Sequence, residues 1–214
     1  RTYFYTNSNK AFSSSGNFSY ATIIDKNFDF KEYRVRFGPE FRFNDKFTLE
    51  YDIEYQRKFG SRGFVTQLDN DDIIFSERNQ KTIENSISGI YNFNSLNALR
   101  LSFRNYWSTA TNDENLYLLE LDGSQSRDDN YTITGLDLDP NRNFNIWNFD
   151  LSYEWQFAPG SQLVALYRNQ LFNSTSKSQD SFSDSLTDLF NENIQHTFSI
   201  KMVYFLDYNT MKEL

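Results

Sequence analysis

Large apolar and polar side chains alternate along much of this chain. Phe47, Leu49, Tyr51, Ile53 and Tyr55 interleave with Thr48, Glu50, Asp52, Glu54 and Gln56. Strand side chains point alternately to opposite faces, so this stretch predicts a ribbon with one oily and one wet face. The pattern repeats at 147–157, with Trp147, Phe149, Leu151, Tyr153, Trp155 and Phe157 set against Asn148, Asp150, Ser152, Glu154 and Gln156. A third case sets Tyr33, Val35, Phe37, Phe41 and Phe43 against Arg34, Arg36, Glu40 and Arg42. Weaker versions run through Ile83, Ile87, Tyr91 and Phe93, through Leu99, Leu101, Phe103 and Trp107, and through Phe198, Ile200, Met202, Tyr204 and Leu206. Residues 161–172 are apolar on both faces and their sides stay unassigned; 2–12 and 16–24 also read as strands.

The turns give a second argument. Asn44-Asp45-Lys46 reads as a three-residue hairpin loop that places Phe43 opposite Phe47 and Arg36 opposite Glu54. Asn94 to Ala98 and Ala158 to Ser161 are also short. The alternate connections, roughly 59–79, 109–142 and 173–194, are rich in Asp, Asn and Ser and read as long polar loops. Short turns at one end and long loops at the other is the arrangement of an outer-membrane barrel. The expected fold is therefore all-β, an antiparallel transmembrane β-barrel of about nine strands. Gly38-Pro39 interrupts a confident strand, and a β-bulge, or two short strands meeting there, would accommodate the proline. Nine is odd, the last strand (195–207) runs toward the short-turn end, and the first starts from the long-loop side. Residues 1–214 are thus expected to be the C-terminal part of a larger barrel, with at least one strand and an N-terminal domain upstream. The chain starts at Arg1 without a signal peptide, so either one was removed or the start lies inside a longer protein.

Composition adjusts this picture. No run approaches the ~18 apolar residues of a membrane helix, and the mean hydropathy of −0.69 suits a barrel whose strands show lipid only at every second residue. Aromatics make up 18% of the 214 residues, far more than a disordered acidic chain carries. With no cysteine and one histidine, His196, disulfides, a thiolate metal site and a Cys–His pair are excluded. A net charge of −8 argues against nucleic acid as a partner. The competing fold is a soluble β-sandwich, whose strands usually run ~5–6 residues. Alternation here lasts for about eleven, near the ~9–11 that a tilted strand needs to cross a bilayer.

The segments IFSERNQKTIENSISGIYNF (74–93), LRLSFRNYWS (99–108), FDLSYEWQFAPGSQLVALYRNQ (149–170) and FSIKMVYFLDYN (198–209) resemble a Bacteroidota family of outer-membrane proteins. These proteins are labelled as carrying a carbohydrate-binding family-9-like domain, and some as membrane-associated hydrolases. The resemblance spans roughly 30–209 and implies a C-terminal barrel region below a separate upstream domain. It carries over no catalytic residue, and the carbohydrate link belongs to that other domain.

Candidate chemistry is sparse. Arg34, Arg36, Glu40, Arg42, Glu50, Asp52, Glu54, Arg100, Arg104, Asp150 and Glu154 are expected to face the barrel lumen. Their mixed signs suit cross-strand ion pairing more than selection of one charge. Phe47, Leu49, Tyr51, Ile53 and Tyr55, with the 147–157 aromatics, are expected to face lipid. Asp137, Asp139 and Asn141 have the D-x-D-x-N spacing of a calcium loop, but Arg142 and Asn148 stand where an EF-hand requires Gly and Glu. They remain a weak candidate for a looser metal site, and Asp69, Asp71 and Asp72 read as a solvated loop. His196 lacks a nucleophile motif around it, and a carboxylate pair such as Asp52 with Glu154 is what any acidic barrel offers. No cofactor is expected. The expected role is a non-enzymatic outer-membrane anchor or scaffold contacting lipid, lipopolysaccharide and other surface proteins. The alternatives are a channel for a saccharide or other polar solute, a membrane hydrolase, and a soluble binding module.

Overall fold

The alternating stretches become strands because each has one apolar face to align with its neighbours and a side-chain period of two. The computed structural model describes residues 1–25, 28–127 and 130–206. In chain order the elements are β1 (Thr2–Tyr5), β2 (Phe12–Asp25), β3 (Phe28–Asn44), β4 (Phe47–Gln67), β5 (Ile73–Asn94), β6 (Asn97–Leu119), β7 (Gln125–Arg127), β8 (Arg142–Ala158), β9 (Ser161–Thr175), α1 (Phe182–Phe190) and β10 (Gln195–Val203). All strands join one antiparallel sheet in the order β1-β2-β3-β4-β5-β6-β8-β9-β10, with β7 hanging on β6. Nine strands thus form the path, β10 runs toward the short-turn end, and β1 starts from the other. β1 and β10 are not paired with each other, so the sheet stays open. No second sheet exists among the described residues, which leaves a sandwich without its other layer. No described helix is long and apolar enough to cross a membrane.

Arg36 does lie opposite Glu54, but the first short turn differs from expectation. Asn44 is paired with Phe47 and the turn is Asp45-Lys46 alone. The Asn44 carboxamide oxygen accepts the Lys46 and Phe47 N–H groups, both at 2.9 Å, and this local bond lets asparagine replace a backbone turn. Asn94 repeats it by accepting the Leu96 N–H at 2.8 Å. The third turn uses Gly160 at φ +73°, where a side chain would be strained.

Gly38-Pro39 brings neither bulge nor break. β3 stays in register with β2 through both residues, while pairing with β4 lapses between Phe37 and Glu40 without a shift. Arg42 N–H bonds Ala11 O on the β2 side, so by alternation Pro39 faces β4, where its missing N–H costs one ladder bond.

The first long loop is much shorter than expected, the second is shortened, and the third nearly keeps its bounds. β4, β5 and β6 run for 21, 22 and 23 residues, leaving 68–72 as the first connection and 120–141, with β7, as the second. Within 173–194 stands α1, begun by a capping box between Ser181 and Asp184. Alternation does not mark these strand ends because their large apolar residues fall out of step, as with Phe59, Phe64 and Val65 on β4 or Ile73, Ile74 and Phe75 on β5. Tyr204, Phe205 and Leu206 follow β10 without strand structure, and residue 207 of the expected last strand lies outside the described residues.

Candidate functional site

The register gathers the expected charges on one face. Arg36 holds Asp52 in a two-point contact, Nε–Oδ1 2.9 Å and Nη2–Oδ2 2.6 Å, one step diagonal to its ladder partner Glu54. Arg34 bridges Glu54 at 3.4 Å and Glu32 at 3.3 Å, Arg42 reaches Glu40 at 3.5 Å, and Arg100 reaches Glu154 at 3.1 Å. Arg104 pairs with Glu84 at 2.7 Å, and Arg168 clasps Asp150 at 2.6 and 2.8 Å. Glu50 lies directly opposite Glu40 and accepts the Ser88 hydroxyl at 3.2 Å. Sequence reasoning missed Glu32, Glu84 and Arg168. Glu84 follows from the Ile83–Ile87 alternation, whereas Arg168 sits in the stretch whose two faces are both apolar. A shallow cleft of about 380 Å³ opens here beside Ser15, Arg36, Gly38, Glu50, Asp52 and Ser86. Both signs line it, with Arg36 paired to Asp52 and Glu40 to Arg42 while Glu50 accepts from Ser88, so the arrangement offers a wet and largely ion-paired wall. Asp52 and Glu154 stand on β4 and β8, separated by β5 and β6, and each is bound to a different arginine, so they do not form an acid–base pair.

The opposite face is aromatic. Phe47, Leu49, Tyr51, Ile53 and Tyr55 run along β4, and Phe149, Leu151, Tyr153, Trp155 and Phe157 along β8. Across the strands they meet Phe41, Val35, Ile83, Ile87, Tyr91, Leu99 and Leu101 in register. Most of these side chains are half-buried by their neighbours and covered by nothing above. Two polar tips are satisfied within the face: Tyr51 Oη donates to Asn85 at 2.7 Å and Tyr153 Oη to Asn97 at 2.8 Å. Phe4 of β1 lies over Gly16, where a Cβ would collide with the ring; an aromatic here covers bare backbone.

At the short-turn end the sheet repeats one device. The register slips by a residue between Arg42 and Asn44, between Asn92 and Asn94, and between Gln156 and Ala158. The extra residue is phenylalanine each time: Phe43, Phe93 and Phe157. Their rings stay on the aromatic face, against Phe47 at 4.8 Å, Tyr91 at 4.9 Å and Trp155 at 5.6 Å. Bulges re-aim side chains at sheet rims, and here they close the face with a row of rings.

One expected member of the open face is covered. Trp147 is capped by Phe190 of α1, with ring centroids 5.3 Å apart. Trp107, 1% exposed, is capped by Phe182 at 5.6 Å. Beneath the helix the face turns polar. Asn143 donates to Ser185 Oγ at 2.7 Å, Asn145 to Ser185 O at 3.1 Å, and Asn105 to Asn145 Oδ1 at 2.9 Å. The signal for this was present: Asn143 and Asn145 share a face with Trp147.

The loop residues serve local structure. Asp139 accepts the Asn141 N–H at 2.9 Å, and Asn141 accepts the Asn112 N–H at 2.8 Å, while Asp137 adopts φ +50°. Asp72 accepts the Tyr131 hydroxyl at 2.8 Å. Among the described residues no group of three or more His, Cys, Asp or Glu side chains is placed to hold a metal. His196 Nδ1 lies 2.8 Å from Tyr167 Oη. In the loop after β9, Lys177 pairs with Asp188 of α1 at 2.9 Å. The hydrogen bond to Asp188 holds the Lys177 ammonium above its ordinary range.

The family profile described as "Domain of unknown function (DUF5916)" matches residues 1–214. The chain belongs to the DUF5916 family. No curated protein matches it. What this DUF5916 chain displays is therefore a two-sided open sheet, ion-paired on one side and aromatic on the other.

Proposed function

We propose that this chain is part of the wall of an outer-membrane β-barrel that anchors or scaffolds a larger surface protein or complex, with no catalysis of its own. The observation that carries the reading is the aromatic face, left open by a single-layer sheet. Each large apolar side chain kept in water forgoes about 1.5–3 kcal/mol, and exposed apolar patches beyond a few hundred Å² mark an interaction surface. Hydrocarbon supplies the missing layer, with outer-membrane lipid and lipopolysaccharide as the contacting molecules. The open strip on β4, from Phe47 to Tyr55, matches the ~9–11 residues that a tilted strand needs to cross. The edges β1 and β10 are open to further strands, which is how a larger barrel would close. The ion-paired face suits a filled lumen lining better than a filter for one charge. The resemblance to outer-membrane proteins with a family-9-like carbohydrate-binding domain fits a barrel that holds such a domain at the surface.

The test is reconstitution of the full chain into vesicles containing lipids brominated on their acyl chains. Trp155, on the open face, is expected to be quenched, whereas Trp107 beneath α1 is not, as single-tryptophan variants report. A chain that stays a dissolved compact monomer without detergent, with no quenching of Trp155, overturns the reading.

A further inference from the structure

Arg57 on β4 and Lys81 on β5 lie directly opposite each other. Like charges in that position repel, and neither forms an ion pair among the described residues. Acids are not scarce, since the chain has 29 against 21 lysines and arginines. Arg36, Arg104 and Arg168 on the charged face each have a carboxylate within 2.7 Å. The unpaired couple sits on the other face, one step beyond the Tyr55–Ile83 pair that ends the open apolar strip. Ring faces flank both charged heads, with Arg57 Cζ 4.6 Å from the Phe59 centroid and Lys81 Nζ 5.7 Å from that of Trp107. The two cations open into a cleft of about 170 Å³, lined also by Thr109, Thr111, Ser178 and Gln179. Thr111 Oγ1 donates to Ser178 Oγ at 3.0 Å. The basic residue nearest in sequence to Ser178, Lys177, is already paired with Asp188 and feels Asp180.

We propose that this cleft binds the phosphate headgroup of a phosphomonoester-bearing membrane lipid, with Arg57 and Lys81 as the charge-bearing contacts. An anion between them turns a repulsive pair into two charge-assisted hydrogen bonds, and the hydroxyls add neutral donors. A lipid fits better than a free anion because the cleft lies at the border of the apolar strip, where headgroups meet the acyl region. The inference rests on the membrane reading above and names a lipid contact within it.

The test is native mass spectrometry of the detergent-solubilised full chain titrated with dioleoyl phosphatidic acid, dioleoyl phosphatidylglycerol and inorganic phosphate. Phosphatidic acid is expected to bind tightest, and R57Q/K81Q to weaken it at least about tenfold. R36Q/R104Q, on the charged face, should leave it unchanged. Removing mutual repulsion should leave the melting temperature of R57Q/K81Q unchanged or raised, so lost binding will not reflect lost fold. Equal affinity in R57Q/K81Q and the unaltered chain overturns the proposal while leaving the brominated-lipid result standing. Inorganic phosphate bound as tightly as phosphatidic acid overturns the lipid assignment in favour of a free anion.

Discussion

Two patches of one sheet face differ in what completes them. Along β3 and β4, Val35, Phe37, Leu49, Tyr51 and Ile53 lie in a band that no other element covers. Higher up on β6 and β8, Asn105, Trp107, Asn143, Asn145 and Trp147 lie beneath α1, and the side-chain donors of the three asparagines and Trp107 meet Ser185, each other or a nearby backbone carbonyl. The covered patch is a small protein interior whose polar groups are hydrogen-bonded, Asn105 Oδ1 being the exception. The open patch has its tyrosine hydroxyls tied to Asn85 and Asn97 and only hydrocarbon left to bury. Burial by the chain itself tolerates asparagine because a partner can be supplied, whereas burial by lipid, as proposed for the open patch, would favour polar tips that find partners within the sheet.

The sharpest way to break this contrast is to charge the open patch. Ile53→Asp or Leu151→Asp is expected to cost up to ~2–4 kcal/mol at mid-bilayer and to abolish membrane assembly, while Glu50→Ala on the charged face is tolerated. Heat-modifiable mobility and detergent-free pelleting report this, and equal tolerance at all three sites would erase the distinction between faces. Next in size is the covered patch. Asn145→Leu removes the side-chain donor to the Ser185 carbonyl and one of the two acceptors of Asn105, which keeps the Ile146 carbonyl, at about 1–3 kcal/mol. We expect α1 to detach, with faster protease cleavage between 176 and 194 and intact membrane assembly. Smallest is a pH effect at the rim of α1. Because the folded-state value of Lys177 is raised, its pairing with Asp188 contributes fully below the ordinary lysine value of 10.5 and fades as pH climbs through the higher folded value. The hydrogen-exchange protection of α1, taken relative to the base-catalysed intrinsic rate, should therefore be flat through neutral pH and fall only in strong alkali, and Lys177→Met should remove that step.

Legibility followed amphipathicity. Where one face was apolar and the other polar, as in 47–56, strand, side and register were readable from residue types, including the Arg36–Glu54 opposition. The outer halves of β4, β5 and β6 read as loops in the sequence, since their large apolar residues, such as Phe59, Phe64 and Val65, do not recur at every second position. Trp147 was assigned to the open face because alternation specifies a side of the sheet but not what lies above it. Arg168 joins the charged face only through pairing, and the Arg57–Lys81 couple is 24 residues apart in sequence and adjacent solely through the β4–β5 register.

By itself the sequence determined a chain of two-faced strands, the charges on one side, the rings on the other, and a meander with short turns at one end. These follow from a side-chain period of two and from turn chemistry, which act over a few neighbouring residues. Only the tertiary structure decided where α1 docks, how far the strands continue, which acid each arginine meets, and that three phenylalanines bulge at one rim. Those outcomes depend on register and on packing between segments far apart in the chain, and no local pattern encodes them.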